Sequence, residues 1–339
     1  MAATIRDVAR AAGVSPATVS YFLNDTKPLT PDTTQRIEQA MAELRFRRNP
    51  VARALASRRS RLIALAYPFS DHHESPSARL FIIGAARTAS DHDYHLVVWP
   101  VEDDGHELAK LAEQGLVDGI LLMDVRTDDP RVDVLGEIGV PVALIGRTRD
   151  AETLPHVDID FDASVRLAFD HLLGLGHRRI VLVNGDPAQG NLYGYGPYVR
   201  TEAAYRTIMA EWGLEAAVML CGQTVNDGRA AAGRLLTDFP DATAVLVMKE
   251  LPAPGLTAEL IQRGRSVPGD ISVMSMYSTV NVAAMSTPNL TTVTTPGTEL
   301  GALGVEALLR HLEGFPVKPV LATGRLVIGA STGPVAESR

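Results

Sequence analysis

The sequence predicts a small all-α helix-turn-helix head followed by a larger α/β core of two lobes with doubly wound parallel sheets. Three observations favour this fold class. Residues 1–60 contain ten Lys and Arg and five acidic residues, whereas the rest of the chain carries a net charge of −13. Apolar residues at helical spacing fill the N-terminal part, and strand-like runs alternate with amphipathic segments beyond residue 61. We assign residues 1–48 to the head, 49–60 to a hinge or linker and 61–339 to the core.

The overall composition is typical of a globular protein that needs no cross-links. The chain has 339 residues, of which 46% are hydrophobic and 21% charged, and Cys221 is its single cysteine. No apolar segment reaches the ~18 residues of a membrane-spanning helix, and the first ten residues lack the layout of a signal peptide. We therefore expect a cytoplasmic protein without a membrane partner. The basic head suits a polyanion, although a cluster of solvated arginines explains the same charge.

Helix boundary signals divide the head into three short helices. Thr4 is a good N-cap for the first helix, and Gly13 ends it. Ser15 and Pro16 begin the second helix, and Thr30 with the following proline begins the third. The apolar residues that line one side of these helices are Ile5, Val8, Ala9, Ala12, Val19, Phe22, Leu23, Ile37, Ala40, Met41 and Leu44. Two helices joined by a tight turn and braced by a third form a helix-turn-helix, whose second helix fits the ~12 Å wide DNA major groove.

The second helix presents small and hydrogen-bonding side chains on the side opposite Val19. At ~100° per residue, that side holds Ala17, Ser20, Tyr21 and Asn24. Ala17 can contact a thymine methyl group, and the three polar side chains can bond bases or phosphates. Any short surface helix also exposes polar residues, but here the caps, the turn and the charge agree. The sequence therefore predicts that this helix contacts DNA bases.

The core alternates short apolar runs, typical of buried parallel strands, with amphipathic helical stretches. The predicted strands are 62–67, 95–99, 119–123, 141–145, 180–184, 217–220, 245–248 and 271–274. The predicted helices are 79–91, 104–114, 163–175, 200–212, 227–236 and 256–263. The pattern occurs twice, which predicts two lobes with a ligand cleft at the carboxyl ends of the strands. We assign 61–160 and a returning segment 291–320 to the first lobe, and 161–290 with the C-terminal segment to the second.

Several segments resemble a known family. They are TIRDVARAAGVSPATVS at 4–20, NPVARALA at 49–56, the stretch 158–160, GHRRI at 176–180, VPGDISV at 267–273 and LTTV at 290–293. They are similar to the LacI/GalR family of bacterial transcriptional regulators, over nearly the whole chain. The resemblance implies a periplasmic-binding-protein-like core that crosses between its lobes three times. It also implies that the protein is a transcriptional repressor. As a homodimer it would bind a near-palindromic operator in double-stranded DNA. The resemblance places it in the bacterial cytoplasm, associated with the nucleoid when it is bound to its operator.

The resemblance extends to the residues that contact DNA. We assign these contacts to Thr4, Ser15, Pro16, Ala17, Thr18, Ser20, Tyr21, Asn24, Asn49, Ala52, Arg53 and Leu55. It implies that two hinge helices pair over the minor groove and that Leu55 is the wedge that kinks the duplex. A helix of about eight residues is too short to be stable alone, so the hinge should order only on contact with a partner. An exposed leucine in a linker is the alternative.

The effector positions depart from the family pattern. Where sugar-responsive members hold an arginine, an asparagine and an aspartate, this chain has Thr201, Lys249 and Tyr277. A cation and a phenol disfavour a plain polyol and favour an anionic or aromatic effector. Arg200 stands one residue from the expected arginine, and the tyrosines of the loop 193–198 either stack on a ligand or close a turn. We assign effector binding to Asp160, Tyr198, Arg200, Thr201, Lys249 and Tyr277.

Other chemistry is not indicated. The loop residues 71–74 (DHHE) offer metal-ligand types, but four adjacent residues cannot all converge on one ion, so no metal or other cofactor is expected. Phosphate-loop and nucleophile-elbow motifs are absent from the sequence, so an enzyme is disfavoured. The C-terminal residues 331–339 lack a heptad repeat, so we expect a homodimer and not a tetramer. Two hypotheses remain: a ligand-controlled regulator, or an orphan or architectural DNA-binding regulator that has lost effector binding.

Overall fold

The computed structural model comprises two compact units, Met1–Ser60 and Arg61–Arg339. The structure describes residues 3–24, 27–46, 59–68, 75–101, 105–150 and 154–335. The predicted hinge contacts Asn49, Ala52, Arg53 and Leu55 lie outside these ranges, as do the loop residues 71–74. The side chain of Asn24 is also outside the described set. The hinge helix and its leucine wedge therefore stay predictions.

Three helices form the head: α1 (Ile5–Ala12), α2 (Pro16–Asn24) and α3 (Pro31–Glu43). Thr4 and Asp7 form a reciprocal capping box at the start of α1, and Gly13 ends this helix with φ of +64°. Thr30 accepts a hydrogen bond from Thr33 N at the start of α3. The predicted caps therefore begin and end the helices where the sequence places them.

A small apolar core holds the three helices together. Val8, Val19 and Ile37, one from each helix, are completely buried in it. Leu44 was predicted on the buried stripe of the third helix, but it is 37% exposed. The helix ends at Glu43, so Leu44 is its C-cap and leaves the buried side. The predicted helix-turn-helix architecture is otherwise confirmed.

The core contains twelve strands and nine helices within the described residues. The strands are β1 (Leu62–Tyr67), β2 (His95–Pro100), β3 (Gly119–Leu122), β4 (Val142–Ile145), β5 (His156–Ile159), β6 (Ile180–Gly185), β7 (Ala217–Cys221), β8 (Ala244–Val247), β9 (Ser272–Ser278), β10 (Thr291–Thr294), β11 (Val320–Ala322) and β12 (Leu326–Val327). The helices are α4 (Ala78–Asp91), α5 (His106–Glu113), α6 (Pro130–Ile138), α7 (Phe161–Gly174), α8 (Gly196–Glu211), α9 (Val225–Asp238), α10 (Pro252–Gln262), α11 (Val280–Ala283) and α12 (Gly297–Leu312).

The strands form two six-stranded sheets, one for each lobe. The first sheet is entirely parallel in the order β11-β5-β4-β3-β1-β2. The second has the order β12-β10-β9-β8-β6-β7, in which only the edge strand β12 is antiparallel. The central strands are buried on both faces because helices cover each side, which explains their nearly continuous apolar sequence. The predicted two-lobed α/β fold class is confirmed.

The segment that returns to the first lobe begins later than predicted. Residues 291–294 form β10 and pair with β9 in the second sheet, although the sequence analysis placed 291–320 in the first lobe. Thr291 and Thr292 are buried in this sheet despite their hydroxyl groups, because each hydroxyl is hydrogen-bonded. The chain then crosses to the first lobe at 295–296 and back after β11. The chain also crosses between the lobes after β5, so three chain crossings connect the two lobes.

The returning helix α12 packs closely against α4. A Cβ atom on Gly84 would lie 2.1 Å from the carbonyl oxygen of Thr298, and one on Gly301 would lie 2.1 Å from that of Phe81. The two glycines therefore allow the backbones to approach without side chains between them. The sequence analysis assigned neither α12 nor α6 as a helix. Within the described part of the chain, none of the helices has the length and apolar character needed to cross a membrane.

Candidate functional site

The outer side of α2 is the candidate DNA-binding surface of the head. Ala17 is exposed, Ser20 and Tyr21 are half-buried, and Val19 is fully buried on the opposite side. The Nζ atom of Lys27 lies 4.7 Å from the centre of the Tyr21 ring, which gives this surface a positive charge beside an aromatic face. The small, polar and basic groups needed to approach the base edges and phosphates of DNA therefore share one side of the head.

Thr4, Ser15 and Thr18, three further predicted DNA contacts, have hydroxyl groups that form hydrogen bonds within the head. Thr4 Oγ1 donates to Asp7 Oδ2 (2.7 Å), and this hydrogen bond is the main reason why the pKa of the Asp7 carboxyl is lowered. Ser15 Oγ accepts from Thr18 N (3.1 Å) and lies 2.8 Å from Thr18 Oγ1. The exposed ring of Pro16 stands beside them. These hydroxyls define the N-terminal ends of α1 and α2, and their contacts with DNA stay a prediction.

The core contains a cavity of about 110 Å³ between its two lobes, at the carboxyl ends of the strands. Much of the wall is aromatic, and four charged side chains also reach it. The aromatic lining residues are Tyr67, Phe81, Phe161, Tyr195 and Tyr277. The charged lining residues are Asp124, Asp158, Lys249 and Glu250. In doubly wound folds ligands bind at this end of the strands, so the cavity is the candidate effector site.

Lys249 follows β8 closely and places its ammonium group against two tyrosine rings. The Nζ atom lies 5.2 Å from the centre of the Tyr195 ring and 5.0 Å from that of the Tyr198 ring. The rings themselves meet edge to face with their centres 4.9 Å apart. Burial lowers the pKa of the Lys249 ammonium, and the negative charges of Asp124 and Glu250 oppose this shift. No carboxylate of the described residues forms an ion pair with Lys249.

Glu250, the next residue, joins the two lobes at the edge of the cavity. Its Oε1 atom accepts hydrogen bonds from Ser75 Oγ (2.8 Å) and Ser77 N (2.7 Å) at the start of α4. Its Oε2 atom accepts from Thr279 N (3.2 Å) in the second lobe. The side chain is almost completely buried. The sequence analysis missed this residue, although its position directly after Lys249 at the end of a strand was an available signal.

Asp158 lies on the opposite side of the cavity between two arginines. Its Oδ2 atom is 3.7 Å from Arg147 Nε and 3.9 Å from Arg200 Nη1, and it has no hydrogen-bond partner. Burial raises the pKa of Asp158 to about 6, against the opposing charges of Arg200 and Arg147. Arg200 Nη2 also donates to the carbonyl oxygen of Arg147 (2.6 Å). Arg200 therefore connects the lobes, and sequence analysis assigned neither Arg147 nor Asp158 to the site.

Only some of the predicted effector residues line the cavity. Lys249 and Tyr277 line the cavity, and Tyr277 adopts a left-handed backbone with φ of +50°. Thr201 is fully buried behind it and donates to Tyr277 Oη (3.3 Å). Tyr198 is buried beside Lys249 and does not reach the cavity lining. Asp160 accepts from Ala163 N (2.9 Å) as the N-cap of α7 and is also absent from the lining.

The tyrosine loop contributes to the closure of the lobes. Tyr195 lines the cavity, and its hydroxyl donates to Asp124 Oδ1 (3.0 Å) across the lobes. Backbone hydrogen bonds run from Thr127 N to Gly194 O (2.7 Å) and from Gly196 N to Val125 O (3.1 Å). The loop therefore forms a turn that bridges the lobes, and stacking of its rings on a ligand stays a prediction.

Comparison with known proteins places these features in context. Residues 4–49 match the profile of bacterial regulatory proteins of the lacI family, and residues 169–332 match that of a periplasmic binding protein-like domain. The chain is 30% identical to the HTH-type transcriptional regulator AglR of Rhizobium meliloti (strain 1021) over 353 residues, which covers 98% of this chain and 95% of the relative.

Two solved structures are similar over almost the full length. The complex of the transcriptional regulator CelR with cellobiose has 27% identity and a TM-score of 0.73, and the match covers 97% of this chain and 99% of that one. The lac repressor dimer bound to operator and the anti-inducer ONPF has 24% identity and a TM-score of 0.84, with coverage of 98% and 100%. The second comparison supports the fold alone.

Proposed function

The chain belongs to the LacI family of bacterial regulatory proteins, and on this premise we propose that it is a repressor of transcription controlled by a small molecule. The head binds a near-palindromic operator as part of a homodimer, and the effector occupies the cavity between the lobes. The observation that carries this proposal is the presence of both sites in one chain. The protein acts in the bacterial cytoplasm, where its operator lies.

The DNA-binding part of the proposal is supported by the surface of α2. Ala17 is exposed and small enough for contact with a base edge, and the polar groups of Ser20 and Tyr21 lie on the same side. In a twofold-symmetric dimer, two such helices enter successive major grooves, so the DNA site has matching half-sites one helical turn apart. The lac repressor in the similar structure is a dimer on its operator.

The effector part is supported by the contacts that close the cavity. Glu250, the Tyr195–Asp124 hydrogen bond and Arg200 each join the first lobe to the second. A molecule between the lobes alters these contacts, so its binding is coupled to lobe geometry. A coupling free energy of about 1 to 3 kcal/mol is typical for such a linkage. The similar CelR structure holds cellobiose.

The proposal is tested by selecting DNA from a randomised library with the purified full-length protein. We expect a near-palindromic consensus and a mass in light scattering of twice the 36.4 kDa chain. A consensus without twofold symmetry, or a monomeric or tetrameric mass at micromolar concentration, would contradict the proposal. The selected DNA then serves in gel-shift titrations with candidate effectors, in which either gain or loss of binding identifies the direction of control.

A second candidate function is that of an orphan regulator that has lost its effector. The observation in its favour is that the Thr201 hydroxyl, at one of the departing effector positions, is buried and donates to Tyr277 Oη within the protein. A thermal-shift screen of metabolites distinguishes the two candidates, since a ligand at 100 times its Kd stabilises the protein by about 2.7 kcal/mol. Stabilisation by any compound together with altered operator affinity excludes the orphan function.

A further inference from the structure

The ammonium group of Lys249, on a side chain half-buried in the cavity wall, has no carboxylate partner among the described residues. It carries three N–H donors, yet its contacts in the described residues are the faces of the Tyr195 and Tyr198 rings. Cation–π contacts of this kind offset only part of the cost of removing an ammonium group from water. The donors therefore remain available to a molecule in the cavity.

The carboxylates near Lys249 are already engaged elsewhere. Both oxygens of Glu250 accept hydrogen bonds, from Ser75, Ser77 and Thr279. Asp124 Oδ1 accepts a hydrogen bond from the Tyr195 hydroxyl (3.0 Å). Neither carboxylate forms an ion pair with Lys249 among the described residues. A ligand that covers the half-buried Lys249 removes its ammonium from water, and charges removed from water are generally paired. The arrangement therefore provides a place for one negative charge from outside the chain.

The lining limits the charge of that molecule. Among the described residues that line the cavity, Lys249 is the sole lysine or arginine, whereas Asp124, Asp158 and Glu250 are acidic. Arg147 and Arg200 lie behind Asp158 and are directed toward its carboxylate. A dianion such as a phosphate ester would face one cation and three carboxylates. A single carboxylate group matches the one free ammonium.

The size and polarity of the cavity define the rest of the molecule. Its enclosed volume is about 110 Å³, and the cavity is partly open to solvent. Aromatic rings provide much of the wall, including Phe81 and Phe161, and rings prefer edge-to-face or offset contacts with one another. A compact ligand with one ring matches the enclosed part of the cavity, whereas a disaccharide would extend into its open part.

Accepting the proposed role of the cleft as effector site, we infer that its effector is a small aromatic monocarboxylate. The carboxylate accepts hydrogen bonds from Lys249 Nζ, and the ring packs against the aromatic wall. Benzoate is the simplest probe of this class. Benzamide is nearly the same size and shape but has no charge, and inorganic phosphate has charge but no ring.

Isothermal titration calorimetry of the full-length protein with these probes tests the inference. We expect benzoate to bind and benzamide to bind about ten- to hundredfold more weakly, because a hydrogen bond between charged groups is lost. Phosphate and cellobiose should give no saturable heat. Lys249→Met should weaken benzoate binding by a similar factor. Lys110→Met, a substitution at an exposed lysine far from the cavity lining, should leave the affinity unchanged.

Three outcomes overturn the inference. Equal affinities for benzoate and benzamide would show that the charge is not recognised, and this comparison needs no variant. Unchanged benzoate affinity in Lys249→Met would place the binding elsewhere. Absence of binding by benzoate, phenylacetate and 4-hydroxybenzoate would exclude the class.

DNA binding measured without any added molecule separates this inference from the proposed function. Operator binding without carboxylate binding defeats the ligand class alone. Carboxylate binding without operator binding defeats the proposed function alone.

Discussion

Glu250 is expected to be a principal stabilising contact between the lobes, and Glu250→Ala is the variant that tests this. The substitution leaves the backbone N–H groups of Ser77 and Thr279 without their acceptor. An unsatisfied buried donor costs about 1 to 3 kcal/mol. Both residues are half-buried, so water replaces part of the lost bonding, and we expect a loss of about 2 to 4 kcal/mol in the free energy of unfolding. The melting temperature should fall by about 5 to 10 °C.

The two tryptophans allow each lobe to be followed separately. Trp99 lies in β2 of the first lobe, and Trp212 follows α8 in the second. Urea unfolding is recorded by fluorescence in single-tryptophan backgrounds made with Trp99→Phe and Trp212→Phe. Because Glu250 joins the lobes, its removal should separate two transitions that coincide in the parent proteins.

Glu211→Ala is the matched control for this prediction. Glu211 pairs with Arg166 at 2.9 Å, but both side chains are nearly half exposed. Such a surface ion pair contributes about 0 to 1 kcal/mol. If Glu250→Ala lowers the stability no more than Glu211→Ala, and the two fluorescence transitions still coincide, the bridging role of Glu250 is refuted.

Four other substitutions test the pH dependence, the DNA contacts and the hinge. Burial raises the pKa of Asp158 from 3.8 to about 6, so the wild type loses stability as pH rises from about 4 through 6. Asp158→Asn removes this titrating group, so the melting temperature of the variant minus that of the wild type should increase between about pH 4 and pH 6. A constant difference between the two melting temperatures over this pH range would contradict the prediction. Tyr21→Glu should change the DNA sequence preference in a randomised selection. Arg53→Ala should instead lower the affinity for every DNA sequence and reduce the slope of log affinity against log salt concentration by about one. An unchanged preference in Tyr21→Glu would show that α2 does not contact the bases. Leu55→Ala should reduce operator bending and specific affinity but leave non-specific binding nearly unchanged, as measured by gel shift with permuted sites. Equal bending in both proteins would exclude the wedge.

Local signals in the sequence were sufficient for the architecture of the head. Thr4, Ser15 and Thr30 begin helices where predicted, because a capping hydroxyl bonds to a backbone N–H only three residues away. Gly13 ends α1 because its φ of +64° is easily adopted by glycine. These interactions span few residues and depend little on the rest of the fold.

Eight strands of the core were predicted from their apolar runs, whereas β5, β10 and β11 were not, and the assignment of residues to lobes was not complete. Continuous apolar runs such as Gly119–Leu122 indicate strands buried on both faces. The residues of β10 belong to the second sheet because of their pairing with β9, which is a contact between distant parts of the chain. The helix α12 was missed for a related reason. Gly301 of α12 allows the backbone of this helix to approach α4 closely. This packing involves two helices that are distant in the chain, so the sequence of α12 alone does not indicate it.

The sequence by itself determined the fold class, the capped helices of the head and the unusual presence of Lys249 and Tyr277 in the effector region. Only the tertiary structure decided which side chains meet in the cavity. Asp160 became a helix cap, whereas Asp158, two residues earlier, reached the cavity beside Arg147 and Arg200. Glu250 bonds to Ser75 and Ser77, which lie 175 and 173 residues away in the chain. The physical reason is that capping and burial patterns follow from neighbouring residues, whereas the pairing of charges in a cleft depends on how the two lobes close.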